Sequence, residues 1–294
     1  MDLHVYLDDR RRLVEDALDR FLPASTSRPE KLHESVRYSM LAPGKRIRPI
    51  LTIASAEAVG GRAEDVLPSA CALECIHAFS LIHDDLPCMD DDDYRRGRLT
   101  NHKVFGEAMA MLAGDALLTL AFELIADNAS LVPPERIVPV VKMVSVATGT
   151  AGMVGGQVVD IESEGKEIKP DELQFIHSHK TGALLTASVM AGALLCGADD
   201  AQQDALRRYG KSIGLAFQIA DDILDVVGDQ EKLGKPVGSD EKSDKATYPK
   251  LFGLEESRRK AHSEVMGAVD ALSGFGPTAD PLRGIARYIV EREL

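Results

Sequence analysis

LPSACALECIHAFSLIHDDLPCMDDDD, residues 67–93, decides the fold. Its first part, through Asp85, is a nearly uninterrupted apolar segment, too long for a strand. It reads as a buried helix started by Pro68. The last ten residues carry six aspartates, Asp84, Asp85 and Asp90 to Asp93, split by Pro87. Like charges this close repel and raise one another's pKa. A fold keeps them where water solvates them or cations neutralise them. For Asp91 to Asp93 a solvated loop suffices. Asp84 and Asp85 end an apolar helix and do not lie on a solvated face. Pro87 disrupts regular helix, so Asp90 can turn back toward Asp84. On an unbroken helix Asp91, at i+7, faces Asp84 instead, and spacing alone leaves both open.

A second acidic cluster, QIADDILDVVGD, occupies residues 218–229. Asp221 and Asp225 are four apart and share a helix face, about 6 Å from each other. Gln218 is on the same face. The residues between are Ile, Ala, Leu and Val, so this helix is largely buried with carboxylates along one stripe. Isolated carboxylates in such surroundings protonate. Mg²⁺ is the natural remedy, because it keeps waters and is shared between a few carboxylates and substrate phosphates.

Basic groups flank both clusters. Arg95 and Arg96 follow the first; Lys235, Lys242 and Lys245 follow the second; Lys45, Arg46 and Arg48 stand in APGKRIRP, residues 42–49. Aspartates do not bind diphosphate directly. Metals invert the local charge, and Lys and Arg complete the shell. The pattern is that of a polyphosphate site.

The rest of the chain reads as helices punctuated by Pro and Gly: 13–22, 30–41, 50–59, 106–128, 134–163, 170–197, 201–227, 254–272 and 280–292. No strand alternation of four or more residues bounded by hairpin turns is found. The expectation is a single all-α domain, 1–294, of ten or more helices. The 228–248 loop is charged and Gly-rich, and a loop that long is functional or disordered. The run TGALLTASVMAGALLCGA, 181–198, is nearly long enough to span a bilayer. It is mostly Ala, Gly, Ser and Thr, however, and reads as a helix buried in a bundle. The net charge of −13 argues against nucleic acid and against an anionic membrane surface. Four cysteines in no zinc-knuckle spacing suit a reduced, cytoplasmic protein. No secretory signal is visible.

GKRIRP (44–49), SLIHDDLPCMDDDDYRRGRLTNH (80–102), GEAMAMLAGDALL (106–118), GGQVVDI (155–161), HKTGALL (179–185) and FQIADDILDVVGD (217–229), in this order, resemble the trans-prenyl diphosphate synthases. The likeness is to the bacterial farnesyl and plant-type geranylgeranyl branch and covers nearly the whole chain. Its longer first motif, DDxxxxD, selects Asp90 as the third aspartate. The resemblance implies the isoprenoid synthase fold with a central cavity, a homodimer, and a Mg²⁺-dependent head-to-tail condensation with three ions. Asp84, Asp85 and Asp90 would hold two ions on the allylic diphosphate; Asp221, with Asp222 and Asp225 nearby, would hold a third. Arg95, Lys180, Lys235 and, more weakly, Lys245 would contact that diphosphate. Thr181 and Gln218 would face the developing allylic cation. Lys45, Arg48, His77 and Arg96 would hold isopentenyl diphosphate.

Outside that resemblance, His83 and the pair Cys71 and Cys75 read as structural, Arg46 as a surface residue, and Gly155-Gly156 as a close helix contact. A terpene cyclase is disfavoured because DDILD lacks the usual Asn, Ser, Thr and Glu mixture and GKRIRP would have no purpose there. A di-iron bundle would need a second Glu-x-x-His besides Glu74 and His77. A non-catalytic subunit would have lost aspartates. Phe79 is five residues before Asp84, about 7.5 Å deeper along the helix. In this family a bulky residue there marks farnesyl synthases, while Ser80 beside it is small. The expected product is farnesyl diphosphate, with geranylgeranyl diphosphate as the alternative.

Overall fold

In a computed structural model of the protein, residues 1–227 and 247–291 are described. The helices are α1 (Leu3–Phe21), α2 (Glu30–Met40), α3 (Ile47–Ala58), α4 (Ala63–Asp84), α5 (Asn101–Phe105), α6 (Glu107–Asp127), α7 (Ile137–Thr148), α8 (Met153–Ser163), α9 (Pro170–Ile176), α10 (Ala183–Leu195), α11 (Asp200–Val227), α12 (Tyr248–Phe252), α13 (Leu254–Ala271) and α14 (Asp280–Glu291). The fold is all-α, as expected. Two apolar clusters form the core. One joins α1, α2, α4, α6 and α7; the other joins α3, α10, α11, α13 and α14. α10 feeds both, with Leu184 and Leu195 in the first and Leu185 and Val189 in the second. Each such fully buried aliphatic side chain contributes about 1.5–3 kcal/mol.

The small-residue run at 181–198 has a packing cause. A Cβ on Gly192 would sit 2.0 Å from the carbonyl oxygen of Thr52, and Thr52 Oγ1 donates to the Ser188 carbonyl at 2.9 Å. α3 and α10 therefore approach backbone to backbone, which large side chains would prevent. By length and composition three segments could cross a membrane, Ala63–Asp84, Glu107–Ser130 and Pro134–Ser163. In the first of these, 72% of the apolar window is buried inside the fold. The other two leave Met111, Leu112, Val138, Val146, Val154, Val158 and Ile161 exposed.

Several expectations need correction. α4 begins at Ala63, not at Pro68. Its start is fixed by the backbone N–H of Arg62 donating to the Asp65 carboxylate at 3.1 Å, and Pro68 lies inside the helix. The helix expected over 134–163 is broken between Thr148 and Met153, where Gly149 and Gly152 leave helical backbone. The helix expected over 170–197 contains a π-helical turn, His177–Gly182. Tyr94–Arg95 (β1) and Arg98–Leu99 (β2) pair as a small antiparallel hairpin. Its two-residue loop, Arg96-Gly97, has φ +53° and +73°, the signature of a type I′ turn. Strands of two residues are too short to show alternation.

Candidate active site

α4 carries the first aspartates on its last turn. Beyond it the chain curls back: the Met89 N–H donates to the Leu86 carbonyl at 2.8 Å, and the Asp90 N–H to the Asp84 carbonyl at 2.9 Å. Asp91 follows with φ +51°. The curl brings Asp90 to Asp84 across six positions. Burial pushes the Asp84 carboxyl up to about 6; Lys180 and Arg95 pull it down, while Asp90 and Asp85 push it up. Asp85 is raised too, again chiefly by burial, and is moderated by Arg95. Two guanidinium nitrogens of Arg95 lie 2.6 Å from Asp85 Oδ1. Asp92 and Asp93 are exposed and pair with Arg95 at 3.4 Å and Lys103 at 2.6 Å.

The π-helical turn supplies the opposing groups. π turns are rare and mark functional sites. Here the turn lets consecutive residues serve different partners. Lys180 pairs with Asp160 of α8 at 2.5 Å and acts on Asp84. Thr181 Oγ1 donates to Gln218 Oε1 of α11 at 2.8 Å. A Cβ on Gly156 would lie 2.2 Å from the Lys180 backbone nitrogen, so glycine there lets α8 close onto the turn, as the sequence suggests.

Asp221 and Asp225 line a cavity of about 510 Å³ together with Lys45, Arg48, His77 and Arg96. Arg48 is pushed down to about 10, first by burial and then by Arg96, against the pull of Glu74 and Asp221. It stays cationic at neutral pH, with a buried Nε that has no hydrogen-bond partner. Burial, followed by the charges of Arg48, Arg96, Arg95 and Arg46, holds His77 well below the ordinary imidazole range. His77 is therefore neutral and can serve as a donor without charge. Arg96, left-handed at the hairpin tip, packs over Gly44 and donates to the Pro43 carbonyl at 3.0 Å.

Asp222 differs from its neighbours. It is buried, with Oδ1 accepting from Gln218 Nε2 at 3.1 Å and Oδ2 accepting from the Tyr248 N–H at 2.9 Å; His177 Nε2 is 3.5 Å away. Both oxygens are engaged inside the protein, and one of them orients Gln218. Arg46 is corrected. It is buried, left-handed at φ +51°, and pairs with buried Glu74 at 3.0 Å while donating to the carbonyls of Met40 and Ala42. Nothing in the spacing of APGKRIRP distinguishes it from its basic neighbours. Glu74 is thereby committed to Arg46, which removes the Glu-x-x-His metal reading. Phe79 is buried on α4 with its ring against His83. Ser80 Oγ is turned onto the His77 carbonyl at 2.9 Å. Lys235 and Lys245 lie outside the described residues.

Among the described residues no three acidic, His or Cys side chains are already gathered tightly enough to cage a metal. The donor set still fits a hard cation: oxygen ligands only, on α4 with the curl that follows it and on α11, with Asp84 driven toward protonation by burial.

The polyprenyl synthetase family model matches residues 29–271. A geranylgeranyl diphosphate synthase of Cyanophora paradoxa is 51% identical over 292 residues, covering 99% of this chain and 97% of its own. A farnesyl diphosphate synthase of Geobacillus stearothermophilus is 49% identical over 294 residues, covering 100% of this chain and 99% of its own. The crystal structure of geranylgeranyl pyrophosphate synthetase from Pyrococcus horikoshii superposes with a TM-score of 0.89 at 33% identity, covering 99% of this chain and 98% of that one. With the family model matched over residues 29–271 and relatives about half identical across nearly the whole chain, the chain is a prenyltransferase that belongs to the polyprenyl synthetase family.

Proposed function

We propose that the protein condenses isopentenyl diphosphate head to tail with dimethylallyl or geranyl diphosphate, with farnesyl diphosphate as the main product. One observation carries the two-site reading. The cations Lys45, Arg48 and Arg96 gather with neutral His77 in one cavity, while Lys180 and Arg95 attend the first aspartates. Asp84, Asp85, Asp90, Asp221 and Asp225 would hold Mg²⁺. When bound, it neutralises the allylic diphosphate as that group leaves. Lys180 and Arg95 add fixed positive charge where negative charge develops. Isopentenyl diphosphate, held by Lys45, Arg48, His77 and Arg96, is positioned without being ionised. Thr181 and Gln218 present oxygens to the cationic carbon, and the departing diphosphate accepts the proton.

Phe79, a bulky residue buried five positions before Asp84, supports the fifteen-carbon product on the reading that it closes the chain's pocket. The twenty-carbon product is the second reading, favoured by the names of the Cyanophora and Pyrococcus relatives. The exposed apolar side chains of α6, α7 and α8 support a homodimer; sedimentation as a monomer at micromolar concentration would remove it. Four free cysteines suit a cytoplasmic setting. The test is chromatography of the dephosphorylated products from isopentenyl and dimethylallyl diphosphate with Mg²⁺. Farnesol as the main alcohol supports the proposal, geranylgeraniol the second reading. No condensation at all would overturn both.

A further inference from the structure

Phe79 does not hold its place alone. Its ring meets the imidazole of His83 edge-on, centroids 4.9 Å apart and planes at 79°. Four residues apart on α4, the two side chains share one face. His83 reaches across to α6, where Nε2 is 3.0 Å from the Met111 carbonyl oxygen. A carbonyl only accepts, so the proton is on Nε2 and the imidazole is the donor. Gly114 makes room for it: a Cβ there would lie 2.1 Å from Nε2. The imidazole thus fills the space of the missing side chain, keyed into α6 by shape and by one hydrogen bond.

We propose that His83 is the positioning residue of the pocket floor. It holds the Phe79 ring across the path of the growing chain and so sets product length without touching either diphosphate. The inference rests on Phe79 being the floor. Removing the imidazole leaves a void beside Gly114 on the α6 side. The Phe79 ring can turn into that void, since an unfilled space at a packed ring leaves it without contacts on one side. The floor then drops.

Product ratios test this with isopentenyl and dimethylallyl diphosphate as substrates. His83→Ala should raise the twenty- to fifteen-carbon ratio by roughly two- to ten-fold, the factor that an aromatic pair of this kind is worth. His83→Gln keeps a donor for Met111 but loses the ring, and should shift the ratio in the same direction. Gly114→Ala expels the imidazole from its seat and gives a second route to that result should His83→Ala fold poorly. Because His83 acts through Phe79, adding His83→Ala to Phe79→Ala should change the ratio no further. An unchanged ratio in His83→Ala and Gly114→Ala, with a shift in Phe79→Ala, overturns the proposal. So does a double variant that adds the full His83→Ala shift to that of Phe79→Ala. A raised KM for Mg²⁺ at constant product length would assign His83 to Asp84 instead and overturn it as well. A wild-type enzyme making mainly twenty-carbon product sinks the farnesyl reading separately, since the His83 readout is a ratio relative to wild type.

Discussion

Thr181 and Gln218 are joined by a hydrogen bond whose direction is decided elsewhere. Gln218 Nε2 donates to Asp222 at 3.1 Å, so its Oε1 is the atom left to accept from Thr181 at 2.8 Å. A carboxylate oxygen that takes the amide's Nε2 accepts only, and it thereby fixes which end of the Gln218 amide faces Thr181. Asp222→Asn breaks that logic, because its own amide can donate and allow Gln218 to flip. The expected result is a loss of roughly ten- to hundred-fold in kcat with little change in either KM, since a misdirected charge-assisted hydrogen bond costs about 1.5–3 kcal/mol. Steady-state kinetics with both substrates decide it. A rise in KM with unchanged kcat would make Asp222 a binding residue instead.

Asp84 carries a cost in the metal-free protein. Its folded carboxyl is raised to about 6 from 3.8, so the folded state holds a proton that the unfolded chain releases. The stability tied to that proton is fully present below about pH 4 and is lost as pH rises through 6. Metal-free wild type should therefore gain stability on acidification from pH 7 to pH 5. Asp84→Asn should remove that part of the gain and raise Tm at pH 7.5 by about 2–4 °C, while turnover falls by several orders of magnitude. Calorimetry in a chelating buffer, beside an activity assay, reads both. A variant keeping a tenth of wild-type turnover at saturating Mg²⁺ would end the metal assignment.

The two diphosphate sites should separate kinetically. Lys45 and Arg48 line the cavity that also holds His77 and Arg96. Replacing either with Ala should raise KM for isopentenyl diphosphate roughly ten- to hundred-fold, one charge-assisted hydrogen bond, and affect the allylic substrate less. Equal weakening of both substrates would dissolve the partition.

The aspartate motifs were legible because they violate an ordinary rule: Asp84, Asp221 and Asp225 sit in apolar helices where carboxylates do not belong without partners. Asp90 was legible only through the longer motif, and the curl that returns it to Asp84 depends on backbone hydrogen bonds that no side-chain pattern encodes. The π turn at His177–Gly182 was hidden for a similar reason. Its residues read as ordinary helix, and the turn packs against α8 and α11, contacts that no local spacing records. Arg46 was misjudged through its neighbours, and Asp222 makes contacts that its motif does not reveal. Each stands in a charged motif, yet each turns inward, Arg46 to Glu74 and the Met40 and Ala42 carbonyls, Asp222 to Gln218 and Tyr248, and direction is not written in spacing.

That inward direction gives the last prediction. Arg46 and Glu74 are both buried, 3.0 Å apart, and the guanidinium also donates to the Met40 and Ala42 carbonyls that shape the loop ahead of Lys45 and Arg48. Removing one member of a buried pair strands the other charge, at a cost of about 3–5 kcal/mol. Glu74→Ala should therefore unfold at markedly lower denaturant. In the fraction that stays folded, Arg46 loses the contact that fixes it against α4, and the 42–48 loop loosens. KM for isopentenyl diphosphate should rise while KM for the allylic substrate stays near wild type. Replacing both residues with apolar ones of similar size, Arg46→Met with Glu74→Leu, should restore most of the stability, since it leaves no stranded charge. It should not restore the low KM, because the loop carbonyls then lose Arg46 as their donor. If Glu74→Ala left stability within 0.5 kcal/mol of wild type, about the scatter expected for surface substitutions, the pair would be incidental and the loop would have to be held by Arg96 over Gly44 alone.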